Sequence, residues 1–495
     1  MAHSITMPKP GLTMTEGPAP IAEPLPSVGE QKKHVVIIGG GPGGYVAAIR
    51  ASQLGARVTL VEKKRLGGVC LNVGCIPTKV LLHSVELFTA IKKASHLGIV
   101  AEKVSVDWNA LMKRKEKVVD HLTGGVGILL KSNDVEVIDG FAKFLSPRSV
   151  GVKLKDGGET RIEADSFIIA TGSEPVIPAI RGFDIPGVIT SNEALSLEKV
   201  PSSMVVVGGG VIGMEFASIY ASLGTKVTVV EMLPDILLNM DEELVQIIKG
   251  VLARSKVVFH TSSKVTEVKE RAGVLAVSVE SPDGTVTVEA EKVLVSVGRR
   301  PVINGLGLEK AGVITEKGRI RVDSYLRTNV SHIYGIGDCA SPIMLAHVAS
   351  REGIVAAENI MGRSVTMDYK TVPSAIYTSP EIASVGLTER QAREKGFKVK
   401  VGRFPLANNG KCIIMNDIDG LVKYVIHEKY NEILGVHIIG PRATDLIVEG
   451  ALALRLEATA EEIISTIHAH PTIGEALAEG ALAALGRVIH LPAKK

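Results

Sequence analysis

One pattern occurs twice at a fixed interval. His34-Val35-Val36-Ile37-Ile38 runs into Gly39-Gly40-Gly41-Pro42-Gly43-Gly44, an Ala-rich stretch to Leu54, Gly55, and then Arg57-Val58-Thr59-Leu60-Val61-Glu62. Met204-Val205-Val206-Val207 leads in the same way into Gly208-Gly209-Gly210-Val211-Ile212-Gly213, a stretch from Met214 to Leu223, Gly224, and Val227-Thr228-Val229-Val230-Glu231. Gly41 and Gly210, Gly44 and Gly213, Gly55 and Gly224, and Glu62 and Glu231 all lie 169 positions apart. One offset shared by glycines, helix breaker and acid predicts two copies of a strand–turn–helix–strand unit. Gly39 permits the tight turn, Gly41 lets the backbone approach a pyrophosphate, and Gly44 allows close helix–strand packing. Gly208, Gly210 and Gly213 take those tasks in the second copy. A pyrophosphate sits at the helix N-terminus, and Glu62 or Glu231 accepts from an adenosine ribose. Two dinucleotides per chain follow.

Beside the first copy stands Gly67-Gly68-Val69-Cys70-Leu71-Asn72-Val73-Gly74-Cys75-Ile76-Pro77-Thr78-Lys79. Four cysteines in 495 residues do not make a disulfide framework, so Cys70 and Cys75 read as a local redox pair, with two buried cysteines at a helix start as the plainer account. A helix beginning there favours a thiolate through its N–H groups and positive end, and Lys79 adds a cation four residues past Cys75. A cysteine pair next to a dinucleotide unit makes electron transfer the leading chemistry.

The chain is too long for one core and predicts two to four domains. Its 51 glycines and 4% aromatics suit an α/β protein and argue against an aromatic nucleic-acid binder. Net charge is +3 without a basic stripe, so no nucleic-acid partner is expected. The apolar runs read as strand-sized, short of a membrane span, and no secretory signal opens the chain. Few cysteines fit a reducing, cytoplasmic setting, and no metal-ligand set is assigned.

Residues 1–33, with Pro8, Pro10, Pro18, Pro20, Pro24 and Pro26, read as a flexible arm. Between the copies, Val85 to Leu97 and Trp108 to Leu130 have helical spacing, with Lys113, Arg114, Lys115, Glu116 and Lys117 as a solvated face. Each copy then makes a meander-like excursion and returns on a strand ending in glycine: Ser166-Phe167-Ile168-Ile169-Ala170-Thr171-Gly172 in the first, Lys292-Val293-Leu294-Val295-Ser296-Val297-Gly298 in the second. Gly335-Ile336-Gly337-Asp338 ends another strand, where Asp338 either binds polyol hydroxyls of a cofactor or caps a helix. Cys339 and Cys412 read as packed small residues. From about residue 370 a separate α+β unit begins. Its His470 and Glu475 are either an oriented acid–base pair or a loop cap.

Taken together, Cys-x4-Cys after one dinucleotide unit, a second unit, Gly-Asp, and His-Pro with a following Glu resemble the pyridine nucleotide–disulfide oxidoreductases. Over residues 34–490 the resemblance is to the dihydrolipoamide dehydrogenase branch. It implies two Rossmann-like dinucleotide-binding domains plus a C-terminal α+β dimerisation domain. The expected division is FAD on 34–180 and 320–369, NAD on 181–319, and dimerisation through 370–495. It also implies that Cys70 is the interchange thiol, that Cys75 is the flavin-facing charge-transfer thiol, and that Lys79 lies near the flavin paired with Glu215. Thr171, Gly172 and Asp338 join Gly39, Gly41, Gly44, Glu62 and Lys79 at FAD; Gly298 joins Gly208, Gly210, Gly213 and Glu231 at NAD. His470, held by Glu475, completes the partner subunit's site. The implied activity is oxidation of dihydrolipoamide on a lipoyl domain of an acyltransferase or related complex component, with reduction of NAD+. A glutathione- or mercuric-reductase-like enzyme and a non-catalytic dinucleotide-binding scaffold are the alternatives. Glu231 favours NAD over NADP, and the tail from Leu485 to Lys495 lacks an extra thiol. Met7 to Gly17 resembles the opening strand of a lipoyl domain with no Asp-Lys-Ala site after it, and is read as a vestige, tether or alternative start. Val302, Val348 and Gly474 depart from the family pattern, which predicts altered packing.

Overall fold

The computed structural model describes residues 32–492, so the arm read over residues 1–33 lies outside it except for its last two residues. The strand His34–Ile38 is β-branched and buried on both faces, as a central parallel strand must be. It pairs in parallel with Arg57–Glu62 on one side and Ser166–Ile169 on the other. Ile333–Gly335 extends that sheet at one edge, and Glu136–Ser146 at the other, where Ser149–Leu154 and Glu159–Glu163 continue it antiparallel. A second sheet, all parallel, runs Val258–His260, Lys226–Val230, Ser203–Val207, Lys292–Val295, Val188–Thr190.

The repeat seen in the sequence holds to the register. His34 faces Arg57 in the first sheet and Ser203 faces Lys226 in the second, positions that keep the same offset. The helices behind them, Pro42–Gln53 and Val211–Ser222, begin and end in phase as well. Each unit carries an antiparallel meander, that of the second being Lys264–Arg271, Val274–Ser281 and Gly284–Ala290. The copies diverge after their acidic strands. The first inserts Gly68–Val73, Cys75–Lys92 and Trp108–Ser132, whereas the second has the single helix Glu242–Arg254.

Three expectations need correction. The helix read from Val85 starts at Cys75 and stops at Lys92, and a 3-10 turn, Ala94–Leu97, follows. Lys115 is not on a solvated face: it is buried, and its ammonium donates to the Leu195 carbonyl at 2.5 Å. The helical segment Gly68–Lys92 is long and apolar enough to cross a membrane by length and composition, unlike the short runs read from the sequence. It is interrupted at Gly74, and Leu81, Leu82 and Val85 pack in one core with Phe216 and Tyr220.

The C-terminal unit is a five-stranded antiparallel sheet ordered Ser374–Ile376, Glu381–Gly386, Ile433–Gly440, Leu421–His427, Val399–Pro405. Helices Ala443–Arg455, Ala460–Ser465 and Glu475–Ala484 complete its core. Lys423, 2% exposed, fixes this sheet to the second nucleotide unit. Its ammonium donates to Asp241 at 2.9 and 3.0 Å and to Glu243 at 2.6 Å, at the start of helix Glu242–Arg254. Removing the cation strands Asp241 in the interior. Lys423→Met is therefore expected to cost about 3–5 kcal/mol, seen as an earlier urea transition. An unchanged midpoint would show that the pair adds no net stability.

Candidate functional site

The two glycine turns are built alike and open into one cavity of about 1760 Å³. A Cβ on Gly44 would lie 1.8 Å from the Gly39 carbonyl oxygen, and one on Gly213 would lie 2.1 Å from that of Gly208. Only glycine lets each helix approach so closely. Gly41 and Gly210 cap the helices with matching backbones (φ −73° and −74°), and space opens around both: no atom lies within 3.7 Å of a Cβ on Gly41, and none within 4 Å of one on Gly210. These are the positions where a pyrophosphate needs room, so the donor set and the space fit a dinucleotide in each copy. A single ligand pocket usually encloses roughly 300–1,000 Å³; this one is large enough for two such ligands.

The acids do more than the sequence indicated. Glu62 accepts from the backbone N–H of Gly40 at 2.7 Å and of Lys64 at 2.8 Å; Glu231 accepts from Gly209 at 2.6 Å and Leu233 at 2.7 Å. Each carboxylate clamps its own glycine turn and keeps further lone pairs for hydroxyl donors.

Cys70 lies in helix Gly68–Val73, and Cys75 is the first residue of Cys75–Lys92. A Cβ on Gly74, between them, would sit 2.8 Å from the Val69 carbonyl oxygen, so the sharp join of the helices needs that glycine. Asn72 staples the preceding turn by donating to the Leu66 and Gly68 carbonyls at 2.9 and 2.8 Å. The thiols are hydrogen-bonded to each other. Donation from Cys70, reinforced by the Lys79 ammonium and the helix N–H groups against burial and Glu215, brings the Cys75 pKa down to about 7. The same hydrogen bond and burial push the Cys70 thiol up.

Lys79 joins the three units. Its ammonium donates to both Glu215 oxygens at 2.8 Å and lies 4.4 Å from the centre of the Tyr377 ring. Glu215 belongs to helix Val211–Ser222, and it also accepts from the Tyr377 N–H at 3.1 Å. Tyr377 comes from the C-terminal unit, and nothing in its local sequence marks it.

Asp338 does not cap a helix. It sits in the turn Gly337–Cys339, lines the cavity, and accepts from Ser173 Oγ at 2.5 Å. Thr171 Oγ1 donates to the Val302 carbonyl at 2.6 Å and the Val302 N–H to the Gly172 carbonyl at 2.9 Å, so Val302 enters the site through its backbone. Gly298 also lines the cavity, beside Arg299, and its carbonyl accepts from the Val176 N–H at 3.0 Å. Val348 is buried within helix Ala346–Ile360, and Gly474 caps helix Glu475–Ala484. Cys339 and Cys412 have no exposed surface, and burial raises both thiols to about 11, which leaves them inert at neutral pH.

His470 and Glu475 are paired but stand apart from the thiols. His470 Nδ1 meets Glu475 Oε1 at 2.8 Å, while Glu475 Oε2 accepts from the Thr472 N–H at 2.8 Å. Against desolvation, these two bonds hold the Glu475 carboxyl below its usual range. The imidazole is 79% exposed and does not line the cavity of its own chain. Near it, Val448, Leu452 and Leu456, four residues apart from helix Ala443–Arg455 onward, and Ile467 present exposed apolar side chains.

Because the Cys75 pKa is lowered, its thiolate is present above about pH 7 and lost below it. Lys79→Met should move that midpoint up by about one unit. The check is the ultraviolet thiolate absorbance of reduced protein, taken as a difference from Cys75→Ser; an unmoved midpoint would remove Lys79 from the account.

Comparison with known proteins follows the same division. The family model described as pyridine nucleotide-disulphide oxidoreductase matches residues 33–353, and that of its dimerisation domain matches residues 372–481. A dihydrolipoyl dehydrogenase of Bacillus subtilis is 44% identical over 469 residues, covering 92% of this chain and 98% of that protein. The mitochondrial dihydrolipoyl dehydrogenase 1 of Arabidopsis thaliana is 43% identical over 472 residues, covering 94% and 93%. Among solved structures, LpdA of Mycobacterium tuberculosis superposes with a TM-score of 0.85 at 28% identity, covering 91% of this chain and 99% of that one. The flavoprotein disulfide reductase RclA of Escherichia coli, in a Cu(II) complex, gives 0.82 at 28% with the same coverage. Two matched glycine cradles, a thiol pair at a helix start between them and a separate C-terminal sheet, seen with these matches, make the chain a member of the pyridine nucleotide–disulfide oxidoreductase family, and an enzyme of it.

Proposed function

We propose that this enzyme oxidises dihydrolipoamide, carried on the lipoyl domain of a partner acyltransferase or related component, and reduces NAD+. The observation that carries the reading is the Cys70–Cys75 pair, its Cys75 end poised near neutrality, in the cavity that both dinucleotide turns share. Residues 34–180 with 320–369 take FAD through Gly39, Gly41, Gly44, Glu62, Lys79, Thr171, Gly172 and Asp338. Residues 181–319 take NAD through Gly208, Gly210, Gly213, Glu231 and Gly298, and residues 370–495 form the homodimer. The 42–44% identity to dihydrolipoyl dehydrogenases over most of the chain supports this substrate. A cytoplasmic, reducing setting belongs to the same reading and is supported by the small number of cysteines.

In the first half-reaction His470 of the partner subunit takes a proton from one substrate thiol. The thiolate attacks Cys70 Sγ of the Cys70–Cys75 disulfide, forming a mixed disulfide and releasing the Cys75 thiolate, which the Lys79 field and the helix N-terminus stabilise. His470 passes that proton to the departing Cys70 sulfur and takes the proton of the second substrate thiol, whose sulfur attacks the substrate sulfur of the mixed disulfide. The cyclic disulfide leaves, with one proton now on Cys70 and one on His470. Bound FAD supplies the two-electron transfer from the reduced cysteine pair to NAD+, restoring the disulfide and giving NADH and a proton. Glu475 orients His470 through its Nδ1.

Steady-state turnover of lipoamide and glutathione, each with NADH and NADPH, tests substrate and coenzyme together. Turnover with lipoamide and NADH alone is expected, and Cys70→Ser should abolish it; comparable turnover of glutathione with NADPH would overturn the reading. Glu231→Gln should narrow the preference for NADH by removing the charge that repels a 2′-phosphate.

The shared site has its own test. Cys70→Ser chains co-expressed with His470→Ala chains give half mixed dimers, each with one intact site, so activity should recover to about one quarter of wild type. Glu475→Gln should slow turnover less than His470→Ala. No recovery in isolated mixed dimers would place the base within its own chain.

A further inference from the structure

One carboxylate in the cavity is fixed from a strand outside its own sheet. The backbone of the Gly337–Cys339 turn has a separate anchor: the Gly337 N–H donates to Glu352 at 2.6 Å, and Glu352, with no exposed surface, also accepts from the Tyr369 hydroxyl at 2.7 Å. The Asp338 side chain is held differently. Ser173 Oγ donates to its Oδ2 at 2.5 Å; Arg299 Nε donates to Ser173 Oγ at 2.8 Å and Arg299 Nη2 to the Ser173 carbonyl oxygen at 2.9 Å. Arg299 is the residue after Gly298, where the chain leaves the second nucleotide sheet and pairs, over Arg299–Pro301, with Ser173–Pro175. Ser173, Arg299 and Asp338 all line the cavity.

A serine hydroxyl has one proton and two acceptor lone pairs. With Arg299 donating to the oxygen, the Ser173 proton is directed to Asp338, and donor and acceptor charges at the two ends polarise the chain. We propose that Arg299 is a positioning residue: through Ser173 it fixes the Asp338 carboxylate in the orientation that receives the FAD polyol, so that the first residue of the NAD-side crossover holds the acid of the FAD site. This rests on the reading of Asp338 as an FAD contact. A guanidinium retained only to pin the crossover strand would need its bond to the Ser173 carbonyl and not the one to the hydroxyl.

The experiment is the rate of FAD release from diluted holoenzyme, followed by recovery of flavin fluorescence. Ser173→Ala and Arg299→Met should each speed release about tenfold, the loss expected for one charge-assisted bond. Because they break one relay, the double variant should stay within about threefold of the faster single variant. Single effects that multiply to about a hundredfold would show two independent structural roles and overturn the proposal, as would normal release from both single variants. Asp338→Asn keeps the underlying reading separate: unchanged release there removes Asp338 from the FAD site, whereas fast release there with normal release from Ser173→Ala removes only the relay. Should Arg299→Met not fold, Ser173→Ala combined with Asp338→Asn carries the test. That pair should release FAD no faster than Asp338→Asn alone, and faster release would overturn the relay.

Discussion

A contact too short for any side chain underlies both halves of this molecule. Gly44 lies against the Gly39 carbonyl and Gly213 against that of Gly208 so closely that an added Cβ would overlap the oxygen. Each contact sets how near a helix lies to its sheet, and so where the helix N-terminus points. Both N-termini point into the same cavity. The clamp from Glu62 or Glu231 to the following glycine N–H then keeps the turn open at Gly41 or Gly210, where a phosphate can reach the backbone. A single acid per copy thus serves the fold and remains available to a ribose. Replacing it with an amide removes one acceptor from the backbone clamp as well as the charge, so both consequences belong to the same residue.

Between the cradles, electrostatics is arranged as a balance. At an effective dielectric of 20, two unit charges 4 Å apart interact by about 4 kcal/mol. An unpaired ammonium at Lys79 would therefore hold a nearby thiolate far below neutrality and make it a poor nucleophile and a reluctant electron donor. Glu215, 2.8 Å from that ammonium, opposes its field, and with the bond from Cys70 the Cys75 thiol settles near 7. The buried carboxylate in turn is satisfied by Lys79 and the Tyr377 N–H. An ion pair of this kind adds little net stability once desolvation is counted. Its position draws one member from each of the first two units with a ring and N–H from the third, so the pair joins all three units beside the thiols.

How much of this the sequence disclosed follows from how local each cause is. The glycine turns and their acids are set within about 25 residues of chain, so the two copies could be read from spacing and agree with the structure down to strand register. Cys70 and Cys75 were legible as a pair because Gly74 and the helix start are their immediate neighbours. Lys115 was misread because periodicity places a residue on a face without saying which faces meet another unit; here the face meets Leu195. Tyr377, Ser173 and Arg299 act across separations of more than a hundred residues, where no spacing rule applies. The family resemblance supplied Glu215, which local chemistry alone did not single out, and favoured the acid–base reading of His470 over the loop cap.

The proposed shared site gives the placement of His470 a chemical reason. A base beside Cys75 in the same chain would compete with Lys79 for the thiolate and protonate it as readily as it deprotonates a substrate. The structure keeps the imidazole out of that cavity, oriented through Nδ1 by Glu475 and exposed at its other edge. Its segment adjoins exposed apolar side chains at Val448, Leu452, Leu456 and Ile467, in a unit whose family model is a dimerisation domain. In the proposed shared site, a base carried on such a surface reaches a thiol pair when a second subunit docks. There it would handle substrate protons while Cys75 passes electrons toward the dinucleotides, the separation of tasks that a relay from thiols to a dinucleotide requires.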